Sequence, residues 1–280
     1  MQFYKSDSGH IIVDESRANP VGAKARFGEL LVQTIKKTHN AIGYVQPRNG
    51  FAGISLAYLC KMYDLPLYLA MPSSKEVSNH QALCIEQNCS PMFARVAAMP
   101  NLNRMMRAWC EDNDVFFVPL GLDHKLVTAC AVRVIYENFA GLAPSTIWCA
   151  ISTGVLSRAL QIALPDWEVK SVAVSRNIQK GELGRSEFFS YHKNFTQPSG
   201  FQPFDFNTEK CYDAKAYHYM HIYGKPGDYM FNVAGNAPKS ILNTKAIDSR
   251  RDWYENEDFN KNHAEIRLRA VLNKPSYYNI

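Results

Sequence analysis

From residue 23 to residue 180, short and nearly unbroken apolar runs alternate with helix-period segments, and this alternation restricts the fold more than any other feature. Ala23, Phe27, Leu30, Leu31 and Ile35 recur at helical spacing. "AIGYV" (41–45) and "LPLYLAMP" (65–72) read as strands, with a largely buried helix, "GISLAYLCKMYD" (53–64), between them. "SNHQALCIEQN" (78–88) reads as a helix, "VFFVPL" (115–120) as a strand and "LVTACAVRVIYENF" (126–139) as a helix. "STIWCAI" (145–151), "GVLSRALQIAL" (154–164) and "EVKSVAV" (168–174) give strand, helix, strand. Strands separated by helices predict parallel βαβ units, and strands apolar on both sides predict sheets covered on both faces. The expected class is therefore α/β, with open and mostly parallel sheets flanked by helices. After about residue 180 the pattern weakens. "NFTQPSGFQPFDFNTEK" (194–210) reads as an irregular connection, and "KAYHYMHIY" (215–223) alternates like a strand.

Composition narrows the class of function. No apolar run reaches roughly 18 residues, so no membrane span is expected, and the start lacks the layout of a secretory signal. Cys60, Cys84, Cys89, Cys110, Cys130, Cys149 and Cys211 form no CxxC pair, and most lie in apolar runs. They read as reduced core thiols of a cytoplasmic protein, with no metal site. A net charge of +5 suits an anionic ligand without implying nucleic acid.

Two strand-to-helix junctions have the layout of ligand loops in open α/β sheets, where helix N-termini point N–H groups at anions. The first is "VQPRNGFAGIS" (45–55), the second "CAISTGVLSRAL" (149–160). Ser152, Thr153 and Gly154 offer hydroxyls and backbone N–H groups to a phosphate, and Arg158 a further cation. Locally, Ser-Thr-Gly before a helix is most often a cap, Asn49-Gly50 a turn pair, and Lys24 a surface charge at a helix entrance.

Taken in order, Lys24, Asn49 and the Ser-Thr-Gly loop resemble the fold-type II pyridoxal-phosphate enzymes, the tryptophan synthase β-like proteins. The resemblance is strongest to the D-cysteine desulfhydrase and aminocyclopropane-carboxylate deaminase group. "NPVGAKARFGELL" (19–31) resembles their Gly-Asn-Lys-x-Arg-x-x-Glu-x-Leu-Leu motif at Gly22, Lys24, Arg26, Leu30 and Leu31, with the Glu at 29. "QPRNGFAGISLAYLCKMYDLPLYLAMP" (46–72) resembles the Ser-x-Gly-Asn-His segment through to its Met-Pro. "FFVPLGLDHKLVTACAVRVIYE" resembles the Pro-x-Gly-Gly-Ser segment and its helix. "CAISTGVLSRAL" with "VKSVAVSR" resembles the phosphate loop and the next strand, which ends in Ser-Arg. The match covers roughly residues 15 to 180. Departures are the Gln46-Pro47-Arg48 stretch in place of small residues, and a phosphate loop that keeps only Gly154 of its glycines.

The resemblance implies pyridoxal 5'-phosphate as cofactor, Lys24 as its Schiff-base lysine and Asn49 beside its ring. It places Ser152, Thr153 and Gly154 on the phosphate. Arg26 and the nearby helix start are expected to lower the Lys24 pKa. Gln46, Arg48 and Arg158 are the candidate substrate-binding residues, suited to a small anionic substrate, with a nucleotide- or DNA-linked one also open. The implied activity is lyase, deaminase or β-replacement chemistry in a homodimer. The alternative is a cofactor-free member of the fold serving as a binding or regulatory module. Two domains are expected, a smaller one over 40–143 and a larger one from 1–39 plus 144–280.

Overall fold

A computed structural model describes residues 1–19, 21–95, 98–174, 183–245 and 247. Pro20 and the Ser175-Arg176 pair, which belong to the motifs above, lie outside the described residues. Two sheets organise the chain. The larger has six strands in the order β1 (Gln2–Lys5), β2 (Ile11–Asp14), β10 (Tyr229–Asn232), β7 (Thr146–Ile151), β8 (Glu168–Ala173), β9 (Glu187–Ser190). Its pairings are parallel except between β1 and β2. The smaller sheet has four parallel strands in the order β5 (Ser90–Ala94), β4 (Leu67–Pro72), β3 (Ile42–Val45), β6 (Phe116–Phe117). The α/β class with mostly parallel sheets is what the alternation predicts. Among the described residues, no helix is long and apolar enough to cross a membrane, and no group of three His, Cys, Asp or Glu is placed to hold a metal ion.

Strand periodicity decides which core each side chain joins, because successive residues face opposite sides of a sheet. On β7, Ile147, Cys149 and Ile151 enter one large core, whereas Trp148 and Ala150 enter another. On the smaller sheet, Ile42, Tyr44, Leu67, Leu69 and Met71 enter the same large core, and Val45 and Ala70 a third. The large core thus covers one face of each sheet. It also takes in the buried sides of α1 (Ala23–Lys36), α2 (Ala52–Met62), α3 (Asn79–Ile85), α5 (Lys125–Phe139) and α6 (Val155–Ala163). α4 (Met99–Asp112) packs on the remaining face of the smaller sheet, and α7 (Asp213–Tyr223) on that of the larger.

Residues 215–223 are a correction: they are helical, not a strand. Within the helix Asp213–Tyr223 the first five residues and Met220 are buried, and the Tyr/His alternation in the sequence gives no sign of it. The run 115–120 is also shorter as a strand than expected. It pairs only at Phe116–Phe117, and after Pro119, which has no N–H for a ladder, it turns into a 3₁₀ segment at Leu120–Leu122. Residues 194–210 are irregular, as read from the sequence. Five of the seven cysteines are buried and all are free thiols.

Beyond β10 the chain crosses to the smaller sheet's side. Asn79 Nδ2 donates to the Pro238 carbonyl (2.7 Å), and its Oδ1 accepts from Ser240 N (2.8 Å). Glu86 Oε1 accepts from Ser240 Oγ and from the amides of Ile241 (2.7 Å) and Leu242 (3.3 Å).

The seat of α4 depends on a missing Cβ. A methyl at Gly43 would collide with Cys110 Sγ and lie 2.7 Å from Met106 Cε. Gly43→Ala is expected to destabilise the protein by about 1–3 kcal/mol, as overpacking does. An unchanged urea midpoint would show that α4 shifts freely to accept it.

Candidate active site

Lys24 is the second residue of α1. The chain enters this helix through Gly22 at φ 80°, where a Cβ would press within 3.0 Å of the Val233 carbonyl oxygen and Ala234 Cβ. Ala23 N donates to that same carbonyl (2.9 Å). Glycine is required here by both the positive φ and the close approach. The entrance of α1 is thereby pinned to the end of β10, which puts Lys24 beyond the carboxyl ends of the strands. Its Nζ donates to the Gly121 carbonyl at 3.2 Å.

Gly121 has φ 73° and gathers the neighbouring elements. Its N–H donates to Tyr44 Oη (3.2 Å), and a Cβ on it would lie 2.7 Å from Thr153 Oγ1 and 2.8 Å from Thr153 Cγ2. Lys24 faces a cavity of about 30 Å³ whose lining includes Phe27, Val127, Thr153, Gly154, Leu156 and Tyr212. Burial lowers the Lys24 pKa, against the opposing pull of the Asp213 and Asp123 carboxylates. Arg26 is not the cause, contrary to the expectation from sequence. Its Nη1 is held by Glu15 Oε1 at 2.9 Å, which satisfies its charge within the fold.

The 152–154 loop leads from β7 into α6. Gly154 caps the helix in the left-handed conformation, φ 79°, and Arg158 N closes the first turn on the Gly154 carbonyl at 2.9 Å. Arg158 braces the loop: Nη1 donates to the Thr153 carbonyl (3.0 Å) and Nη2 to Asp123 Oδ1 (2.5 Å). Its cation is neutralised by that pairing and ties residues 121–123 down over Thr153.

Gln46 directly follows β3 and is fully buried. Its Oε1 accepts from Gly53 N (3.1 Å), and its Nε2 donates to the carbonyls of Pro47 (2.9 Å) and Gly50 (3.1 Å). Asn49 is half-buried on the same turn. Arg48 is exposed and its Nη1 donates to the Glu76 carbonyl at 3.3 Å. Of the residues singled out from sequence, Lys24, Thr153 and Gly154 line one cavity, while Ser152, Asn49, Gln46, Arg48 and Arg158 are not part of its lining.

The sequence reading missed Asp213. It is fully buried at the start of α7, and its Oδ2 accepts from Val233 N (3.0 Å) and Ala234 N (3.2 Å). Its Oδ1 has no hydrogen-bond partner. Burial holds its pKa well above the usual carboxylate range, opposed by those two N–H groups and by Lys24. A lone acid in the aromatic stretch "CYDAKAYHY" was the only available signal.

No family model and no curated protein matches the chain. Solved structures do. An ACC deaminase homologue superposes with a TM-score of 0.68 at 14% identity over 88% of each chain. Maize serine racemase gives 0.64 at 10% identity over 92% of this chain and 93% of its own. A threonine deaminase from T.th. gives 0.60 at 14% identity, over 82% and 88%. Identities this low establish architecture alone, and the chain has the fold of the tryptophan synthase β-like, fold-type II pyridoxal-phosphate enzymes.

Proposed function

We propose that the chain is a pyridoxal-phosphate-dependent enzyme acting on an amine-bearing substrate through Lys24, as a lyase, deaminase or β-replacement enzyme. The observation that carries this reading is an amine of lowered pKa facing a helix start that carries hydroxyls, with an orphaned carboxyl oxygen nearby. The donor types suit the cofactor, and of them Lys24, Thr153 and Gly154 line the cavity. Lys24 would hold its aldehyde carbon, and Ser152, Thr153 and the N-terminal amides of α6 its phosphate. Asp213 Oδ1, the one oxygen of that carboxyl without a partner, would face the ring nitrogen, as donor while the acid is protonated, and Asn49 the phenolic oxygen. When bound, the cofactor supplies an electron sink for chemistry at the substrate's Cα or Cβ.

The residues' own work follows from their surroundings. Lys24 Nζ sheds its proton more readily than an exposed lysine, so it can accept one from a substrate carbon and return it. Val127, Leu156 and Phe27 keep bulk water from that nitrogen. The cavity, at about 30 Å³, has room for one or two waters. Admitting a ring therefore requires this cavity to widen. The same small volume favours the second reading, a member of the fold that binds or regulates without cofactor.

Incubation with excess pyridoxal phosphate is expected to give a yellow protein whose colour borohydride fixes onto Lys24, read by peptide mass. Lys24→Ala should stay colourless with unchanged circular dichroism. A colourless wild-type protein would replace this reading by the cofactor-free one.

The lowered Lys24 pKa also makes stability depend on pH. Protonated Lys24 is costly when buried, so the folded protein sheds that proton before the unfolded chain does. The cost is present at neutral pH and is relieved as pH rises from the lowered value towards about 10.4. In denaturant titrations Lys24→Met should therefore lose ground to wild type as pH rises through that window. A difference that does not change with pH would show that burial leaves this amine unperturbed.

A further inference from the structure

Two stretches that pack together, 188–204 and 214–227, contain no Asp or Glu, while they hold Lys193, Lys215, Lys225, His192, His218 and His221. The first comprises most of β9 and the irregular segment after it, the second most of α7 and the turn that follows. They meet through rings. Phe189 stacks on Tyr223 with centroids 5.7 Å and planes 23° apart, and Phe201 on His221 at 4.5 Å and 15°. Tyr191 joins them through its hydroxyl, 2.8 Å from His218 Nδ1. Lys215 reaches the same rings from the buried side, its Nζ 5.3 Å from the Tyr191 centroid and donating to the Asn194 carbonyl at 2.8 Å.

The outer members of this stack are open to solvent. Tyr223 is 56% exposed, and Ile222, His192, His221 and Lys225 are exposed as well. Among the described residues, none of these lysines or histidines forms an ion pair. Acids at the margins are engaged elsewhere. Glu187 pairs with Lys170 at 3.1 Å, Asp228 accepts from Trp148 Nε1 and the Lys225 amide, each at 3.1 Å, and Asp205 accepts from the Asp7 amide at 2.8 Å. Burial lowers the His218 pKa, and His192, His221 and Lys193 push it the same way, so these groups converge on one place.

Such a surface is complementary to a partner that carries several negative charges together with flat apolar faces. A single strand of nucleic acid offers both, since its phosphates are charged and its unpaired bases stack on aromatic side chains. A duplex hides its base faces, and an anionic bilayer offers no rings. The polar run of Asn194, Thr196 and Gln197 beside the rings also suits a hydrated partner. We propose that the face built by α7 and residues 188–204 binds single-stranded nucleic acid, its bases stacking on the exposed rings around Tyr223 and its phosphates meeting Lys193 and Lys225. This binding does not depend on Lys24 or its chemistry.

Fluorescence anisotropy of a labelled oligothymidylate of about twelve nucleotides, within the span of one such platform, tests this on the full chain. Wild type should bind at low salt and lose affinity as salt rises. Tyr223→Ala should weaken binding about tenfold, as loss of one stacking ring does. Lys193→Ala combined with Lys225→Ala should lower the slope of log affinity against log salt by about 0.7 per lysine. Lys61→Ala, an equal loss of exposed charge on α2, should leave both readouts as in wild type. Inorganic polyphosphate, a polyanion without rings, should displace the label at least about tenfold less well than unlabelled oligothymidylate. Circular dichroism checks that each variant is folded, and the wild-type and competitor arms decide the matter where one is not. No binding at low salt, equal displacement by polyphosphate, or undiminished affinity in folded Tyr223→Ala would overturn the proposal. Capture by phosphatidylserine vesicles in place of the oligonucleotide would do the same, assigning the face to a membrane.

Discussion

One carbonyl oxygen, that of Gly121, fixes the arrangement on which the candidate site depends. It accepts from Lys24 at the start of α1, while the N–H of the same residue donates to Tyr44 on the smaller sheet. Its bare Cα rests on Thr153, from the loop after β7 of the larger sheet. Three segments that are remote in the chain thus meet at a residue too small to keep them apart. The amine is desolvated because this junction closes around it. Any side chain at 121 would have to displace Thr153 and sit at a positive φ. The site is consequently a product of how the two sheets share one core, not of either sheet alone.

The loops around this junction are satisfied from within the chain. Gln46 takes the Gly53 amide, Arg158 is neutralised by Asp123, and Arg26 by Glu15. Such self-satisfaction has an energetic logic, because a buried donor left unpaired costs about 1–3 kcal/mol. A ligand entering here competes with bonds already made, so selectivity is set by what it can offer beyond replacing them. Asp213 and Glu15 each keep one buried carboxyl oxygen without a hydrogen-bond partner.

Much of the architecture was legible because strands β3, β4 and β7 are covered on both faces and so carry continuous apolar runs. The junction that carries Ser152, Thr153 and Gly154 was legible as a turn between a strand and a helix, β7 and α6. Helix α7 was misread because two of its buried residues, Asp213 and Lys215, are charged, and their burial rests on partners elsewhere. Lys215 Nζ donates to the Asn194 carbonyl, and Asp213 accepts amides from Val233 and Ala234. The pairing of Arg158 with Asp123 spans 35 positions. Local sequence carries no trace of such closures, so an arginine beside a ligand loop reads as a free cation until its partner is seen.

The crossing of residues 238–242 onto α3 has a mechanical consequence. Glu86 gathers two amides and a hydroxyl from this short stretch, and Asn79 holds it from the other side. The strap leaves the larger sheet at β10, the same strand whose end anchors the entrance of α1. Pulling the sheets apart therefore loads the strap and the Lys24 entrance in series, through one strand. Glu86 is thus the carboxylate through which the segment after β10 is fastened to α3.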